Sequence, residues 1–495
     1  MSENRSLFPV YATIPLPVSM EKRKQLTAFA ILHHYAGRIK MRLLCCMRSG
    51  RNPYPNFVNY KKSTKIAMTV RIRRIQKDIE SINEFNTTPG FGVTRSTFSP
   101  EYLGAVTYVI EELKKIGAKI SICRGGNIRG RILGSSKDGP AIMMGSHLDT
   151  VAHGGQFDGV VGVVTALEAA RIIVGDKIAH RLPIDVVIFA EEEGSRFGRG
   201  LLGSSIWTGQ METEQLASIK DDRGVSYQEA MVHAGLKIDD HGKLKPRDIR
   251  AMLEVHIEQG AVLEKRGQRI GLVEAIAGIR QLNITIIGTA DHAGTTPMEG
   301  RLDPMQTAAM IIIAVDKIAR NTGPNTVATV GRITCEPAQV NVIPGLVRFS
   351  VDVRDSNRTM LASAVTAINQ TVKEICAERG LVFEIARLSE AEPVTLSKSI
   401  IDLLEEKARE KKVAPYKMIS GAGHDTALIA ELAEAGMIFV PSRDGLSHCP
   451  QEFTRLEDIA LGCEILLATI IQLAAEPLYL KHPAPKKGRD HIKCN

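Results

Sequence analysis

GSHLDT places His147 two residues before Asp149, and Asp158 follows in FDGVVG, eleven residues beyond His147. AEEEGSRF sets Glu191, Glu192 and Glu193 directly after the apolar run VVIFA. His256 lies in LEVHIEQG and His448 in DGLSHCP. Carboxylates are costly to bury unless paired or bound to a cation, so three of them closing a core strand need a partner. A single histidine near a strand end is more often a satisfied structural residue than a ligand. Histidines and several carboxylates gathered at the ends of one sheet's strands instead fit a two-metal hydrolase. Asp149 suits an outer partner that holds the His147 ring. Asp158 stands just before a Gly-rich turn into a helix, where one carboxylate can bridge two cations. Mixed nitrogen and oxygen donors without a thiolate admit Zn, Mn, Co or Ni and do not choose among them.

A second group lies further along, in DHAGTTPMEGR (291–301), NVIPG (341–345) and DVRD (352–355). His292 precedes a Gly-Thr-Thr-Pro turn, which by itself needs no more than a capping role. Asn341 and Arg354 stand at the two ends of an expected hairpin. Arg354 has structural partners to hand in Asp352 and Asp355, but an arginine fork with an asparagine amide also fits a substrate carboxylate. GRGLLG (198–203) matches GxGxxG but starts eight residues after its strand ends rather than at a strand-to-helix turn, which argues against dinucleotide binding. The chain has no GxxxxGK[ST] phosphate loop.

These residues need a scaffold. AIMM (141–144) and IDVVIFA (184–190) read as buried strands, with a helix between them at 159–174. Apolar strands separated by helices imply a parallel sheet covered on both faces, and such sheets bind ligands at their strands' carboxyl ends. GSHLDT and EEEGSRF follow those two strands. From about 278 to 390 the pattern becomes strand (QLNITIIG), helix, strand (TVATVGRI), strand (LVRFSVDVRD), helix, strand (VFEIARL), a ferredoxin-like order. The expected fold is α/β: a mostly parallel-sheet catalytic domain in two parts, 68–277 and 392–476, interrupted by an inserted ferredoxin-like α+β domain at 278–391. LGCEILLATIIQLAAE (461–476) contains Glu464 and follows the capping box Thr454-x-x-Glu457, so it reads as a buried helix of a globular protein rather than a membrane span.

The formal net charge is +8, but residues 1–67 hold 12 of the 63 basic residues and 2 of the 55 acidic ones; the remainder, 51 basic against 53 acidic, has a net charge of −2. A nearly neutral body argues against nucleic acid or an anionic membrane as partner. The acid-poor head, 1–67, is expected to be a disordered extension or to lie upstream of the natural start, with Met68 opening the first periodic helix. The tail, 477–495, is expected to be mobile. Eight cysteines without a CxxC pair suggest free thiols in a reducing cytoplasm.

Taken in order, GSHLDTVAHGGQFDGVVGV, AEEEGSRFG, LEVHIEQG, DHAGTTPM, NVIPG, SGAGHDT and FVPSRDGLSHCP resemble the amidase/hydantoinase/carbamoylase family of the dizinc aminopeptidase-like superfamily. That family contains N-carbamoyl-L-amino acid hydrolases, allantoate amidohydrolases and yeast-type β-ureidopropionases. The resemblance spans about 70–476 and leaves the head unexplained. It implies two divalent cations per subunit, zinc foremost, held by His147, Asp158, Glu193, His256 and His448, with Asp158 shared and the pairing of each histidine left open. It makes Glu192 the general base. It makes Gln259, His292, Asn341, Arg354 and Gly423 the substrate-binding residues, with His292 also stabilising the oxyanion. It places His292 in the partner subunit's site, so that the inserted domain is a lid and dimerisation domain and the protein a homodimer. The implied substrate is a small ureido acid: an N-carbamoyl-L-amino acid, cleaved to ammonia, carbon dioxide and the amino acid, ahead of allantoate or N-carbamoyl-β-alanine. A metallopeptidase on the same core and a binding protein acting through its basic head are the competing readings. Dipeptide cleavage would mark the first, and salt-sensitive nucleic-acid binding lost on deleting 1–67 the second.

Overall fold

The computed structural model describes residues 69–136, 139–236 and 242–475. The basic head, Met68 and the tail lie outside these residues, as do the expectations made for them.

Strands β1 (Lys119–Ile122), β2 (Ile128–Ile132), β3 (Ala141–His147), β4 (Ile184–Phe189), β5 (Ile249–Ile257) and β6 (Gly271–Ile276) precede the insert. The insert contributes β7 (Gly278–Ile287), β8 (Asp291–His292), β9 (Val327–Thr329), β10 (Ile333–Glu336), β11 (Val342–Ile343), β12 (Leu346–Asp355) and β13 (Val382–Ala391). After it come β14 (Val394–Thr395), β15 (Tyr416–Ser420) and β16 (Glu434–Val440). The large sheet runs β1-β2-β4-β3-β5-β16-β6-β14, with β15 also on β6. Its centre, β4-β3-β5-β16, is parallel, and antiparallel pairs close both sides.

Every residue of β3 and β4 is buried, because helices cover both faces of a parallel centre. The helix Val160–Gly175 is buried on nearly every side and packs on the sheet beside the helix Leu456–Ala475, which also rests on it. Its run of valines is poor for isolated helix formation, so tertiary burial rather than propensity sets this element. The same burial accounts for Leu456–Ala475, which has the length and hydropathy of a membrane span but spends its apolar surface on the protein core.

The insert builds its own antiparallel sheet, β10-β12-β7-β13, with β9 also on β12. Val347, Phe349, Val351 and Val353 of β12 are buried in alternation, the period of a sheet with one covered face. The helices Pro304–Thr322 and Arg358–Glu378 supply the cover and complete a separate hydrophobic core. Asp303 and Asn357 cap their amino ends by accepting backbone N–H groups. The order is ferredoxin-like, as expected. TVATVGRI, expected as one strand, is two short ones, β9 and β10, each paired with a different stretch of β12.

Candidate metal centre

Four adjacent parallel strands deliver the chemistry at their carboxyl ends. His147 is the last residue of β3, and Glu191–Glu193 follow β4. His256 lies on β5 itself, one residue from its end, rather than in a loop. His448 stands in the segment after β16. Asp158 comes from the turn between β3 and the helix Val160–Gly175. Gly159 there has a φ of +65°, and a Cβ on it would lie 2.5–2.6 Å from the His147 ring. Only glycine can turn the chain this close to the imidazole.

The Asp158 carboxylate divides the ligands into two sets. Its Oδ1 lies 3.5 Å from His147 Nε2 and 3.3 Å from His256 Nε2. Its Oδ2 lies 3.2 Å from His448 Nε2, which is 3.4 Å from Glu193 Oε2. Around Asp158 the candidate groups therefore fall as His147 with His256 at Oδ1 and Glu193 with His448 at Oδ2, while His147 also lies within reach of Glu192 and Glu193. His147 Nδ1 donates to the Asp149 carbonyl at 3.0 Å and His256 Nδ1 to the Ile257 carbonyl at 2.9 Å, so each ring turns its Nε2 lone pair inward. Asp149 thus holds the ring through its backbone. Its carboxylate, 3.9 Å from the ring, instead accepts the Glu193 N–H at 3.1 Å.

The charges of the site call for a cation. Burial alone would push the Asp158 carboxyl up, but the favourable interactions of the neighbouring His147, His256 and His448 outweigh it and hold the group well below the usual range. Burial and the charge on Asp158 raise Glu193 to about 7. Its Oε1 is buried with no hydrogen-bond partner among the described residues. The bond to Asp158, acting against burial, lifts His448 to about 9. An unsatisfied buried carboxylate oxygen, imidazoles aimed at a shared carboxylate and no thiolate form a donor set that suits a pair of hard or borderline divalent cations.

The three glutamates have three different surroundings. Glu192 Oε2 is 3.8 Å from His147 Nε2. Burial, then the charges of Glu193, Asp425 and Asp149, lifts its carboxyl well above the usual range, against the pull of His147. Glu193 lies in the candidate ligand group with Asp158 and His448. Glu191, for which the sequence offered no chemistry, is fully buried with a φ of +55°. Its Oε1 accepts the backbone N–H groups of Arg196 and Phe197 at 3.0 and 2.9 Å. It closes the loop that carries the other two.

Gln259, also at positive φ, donates to Asp158 Oδ2 at 2.7 Å. Gly423 follows β15, and a Cβ there would meet only Leu201, at 4.0 Å, so the position faces open space. The remaining three residues do not converge. Val342 pairs with His292 across β8 and β11, and the Asn341 carbonyl accepts the Ala293 N–H at 3.0 Å, so His292 and Asn341 sit together. Arg354 is at the far end of β12, eight residues beyond Leu346, or about 26 Å along the strand. The structure thus places Arg354 and the His292–Asn341 pair toward opposite ends of β12. Arg354 makes the structural pairing with Asp352, at 2.8 and 3.1 Å, and also donates to the Gly421 carbonyl at 2.8 Å.

Sequence reasoning missed two residues. His424, in SGAGHDT, is buried against His256 with ring centroids 4.7 Å apart. Its Nε2 is 2.8 Å from Ser420 Oγ, and burial, followed by the His256 charge, holds it well below the usual histidine range and so neutral. Glu452, four residues after His448, is buried beside Asp158. The motif carried a signal for the first; only the spacing from His448 hinted at the second.

Comparison with known proteins shows the family. Residues 143–472 match the profile of peptidase family M20/M25/M40. The N-carbamoyl-L-amino-acid amidohydrolase of Paenarthrobacter aurescens is 38% identical over 399 residues, covering 80% of this chain and 96% of its own. The allantoate amidohydrolase of Escherichia coli (strain K12) is 34% identical over 400 residues, covering 81% and 97%. A solved amidase of the hydantoinase/carbamoylase family from Burkholderia multivorans superposes with a TM-score of 0.78 at 32% identity, covering 83% of this chain and all of its own. The chain belongs to the M20/M25/M40 peptidase family of metal-dependent hydrolases, on its hydantoinase/carbamoylase amidase branch.

Proposed function

We propose that this protein hydrolyses the carbamoyl C–N bond of N-carbamoyl-L-amino acids, with two divalent cations, zinc foremost, held by His147, Asp158 and His256 on one side and Asp158, Glu193 and His448 on the other. The observation that carries the reading is the division of ligands between the two oxygens of Asp158, with Glu192 buried beside them. The 38% identical N-carbamoyl-L-amino-acid amidohydrolase supports the substrate class. The 34% identical allantoate amidohydrolase makes allantoate, another carboxylated ureido compound, the second candidate.

Two bound cations would lower the pKa of a water between them and offset negative charge at the carbonyl oxygen. Glu192 takes the proton from the attacking water, and a carboxyl raised toward neutrality is suited to accept one and give it back. It returns that proton to the departing nitrogen as the C–N bond breaks. The carbamic acid formed by this step then breaks its remaining C–N bond to release carbon dioxide, so the products are ammonia, carbon dioxide and the free amino acid. His292 accepts the N–H groups of Gly294 and Thr295 on Nδ1, at 3.0 and 3.2 Å. Its neutral ring therefore carries hydrogen on Nε2, ready to donate to the developing oxyanion. Arg354 uses three N–H groups on Asp352 and Gly421, which leaves two of its five for a substrate carboxylate.

His292 and Asn341 are too far from Arg354 to surround one small substrate within a single chain. A second copy, bringing its His292 and Asn341 to this chain's centre, removes the difficulty, and we read the protein as a homodimer joined through its lid. Ile287, Val327, Ile333, Val340 and Val382 are exposed on the lid, apolar surface that such a contact can cover. Cys123, Cys335, Cys376, Cys449 and Cys463 are free thiols, in keeping with a reducing cytoplasm.

The test is ammonia release from several N-carbamoyl-L-amino acids, allantoate and N-carbamoyl-β-alanine after loading with Zn, Mn, Co or Ni, with dipeptides as the peptidase control. No turnover of any ureido acid by metal-bound protein would sink the proposal. Within that panel, Arg354→Ala is expected to raise KM for carboxylated substrates by about tenfold to a hundredfold with little change in kcat, the loss of a charge-assisted hydrogen-bonded pair. An unchanged KM would remove Arg354 from the site.

A further inference from the structure

Glu452 contributes no atom to either candidate ligand set, yet both of its oxygens are committed at the centre. Oε1 accepts the backbone N–H groups of Phe157 and Asp158, at 2.8 and 3.1 Å. Oε2 accepts the Ser447 hydroxyl at 2.7 Å. Ser447 immediately precedes the ligand His448, and Asp158 is the bridging carboxylate. One side chain thus ties the turn before the helix Val160–Gly175, which carries Asp158, to the segment after β16, which carries His448. The fold is shaped to admit it: a Cβ on Gly155 would lie 2.0 Å from Glu452 Oε1, so any larger residue there displaces the carboxylate. Glu452 itself is buried.

The Ser447 hydroxyl gives this tie a second effect. Its oxygen is 2.7 Å from Glu452 Oε2 and 3.1 Å from Asp158 Oδ2. A hydroxyl has one hydrogen to donate, and the shorter contact takes it. The Asp158 oxygen that faces His448 and Glu193 then keeps a lone pair for a cation. Without Glu452, the Ser447 hydrogen turns to Asp158 Oδ2 and competes with that cation directly.

We propose that Glu452 is a positioning residue for the metal centre, which anchors the backbone of the bridging Asp158 and draws the Ser447 hydrogen away from its Oδ2, so that the Asp158–Glu193–His448 side binds its cation tightly. The inference rests on the two-cation reading and deepens it.

Titration of the full-length, metal-free protein with Co(II), followed by visible absorption and by competition with a chelator, tests both levels separately. The unsubstituted protein should take up two equivalents. If it takes up none, the two-cation reading itself fails. Given two, Glu452→Ala is expected to bind one equivalent about 10–100-fold more weakly with an altered absorption band, while its metal-free melting curve still shows a cooperative transition. Glu452→Gln keeps an acceptor oxygen for the Phe157 and Asp158 N–H groups but presents an amide N–H to Ser447 in place of an acceptor, so it should recover only part of that loss. Two equivalents bound by Glu452→Ala with native affinity and spectrum would overturn the proposal, as would a Glu452→Gln variant as weak as the alanine. Should Glu452→Ala not fold, Gly155→Ala, which displaces the carboxylate without removing it, is expected to weaken the same equivalent. Unchanged Co(II) binding by that variant would likewise overturn the proposal.

Discussion

Glu192→Gln is expected to bind both cations as the native chain does and to lose about a hundredfold to ten-thousandfold in kcat, the range of general acid–base catalysis. The substitution keeps the volume and the hydrogen-bonding reach of the side chain and removes only its capacity to take a proton. Glu192 is the right group to test because its burial and its acidic neighbours raise its carboxyl while Glu193, one residue on, lies beside His448 on the Oδ2 side of Asp158. Glu193→Gln should do the opposite and lower metal content. Metal analysis beside steady-state kinetics on each variant separates the roles. If Glu192→Gln retains native kcat, it is not the base; if it loses metal while Glu193→Gln keeps it, the two assignments are reversed.

Mixed dimers should restore what either parent lacks. His292→Ala removes an oxyanion donor, a loss of about 10²–10³ in kcat, and Glu192→Gln removes the base. If each centre takes its Glu192 from one chain and its His292 from the other, a dimer of one of each has one complete centre and one doubly deficient. Random pairing makes half of the dimers mixed, so co-expression of the two differently tagged variants should return about a quarter of native activity. Activity no higher than the sum of the two parents would mean that each chain supplies its own His292 and would end the composite-site reading. The distance along β12 between the His292–Asn341 pair and Arg354 makes this the more demanding test of the two.

Much of this was legible in the sequence, for reasons that differ by residue. His147 and Asp158 could be read because buried parallel strands advertise themselves as apolar runs, and the polar residues just past them have few structural uses. The ferredoxin-like insert was legible from alternating burial on β12, where sequence and pleat share a period of two. The ligand pairing was not legible, because it turns on which oxygen of Asp158 faces which ring, a matter of side-chain rotation rather than spacing. Nor was the separation of Asn341 from Arg354. It follows from β11 pairing with β8 instead of continuing into β12, and a two-residue ladder leaves no periodicity to read. Glu191 and Glu452 escaped because their work is to hold backbone N–H groups, and no residue pattern marks an acceptor for them.

In the large sheet, β16 lies between β5 and β6, although the whole insert separates it from both in the chain. Synthesis therefore makes the two flanking strands first, and the place between them is filled only by a segment that emerges after the lid has been made. Phe157 and Glu452, in contact in the finished protein, are 295 residues apart. Closing such a long loop is among the slower steps open to a folding chain. His448, the one candidate ligand that follows the insert, arrives with that step, so a chain stalled at the insert holds an open sheet and an incomplete Asp158–Glu193–His448 set. Uptake of the second cation would then report that the sheet has been completed, and its binding energy would favour the closed sheet over every arrangement with the slot still empty.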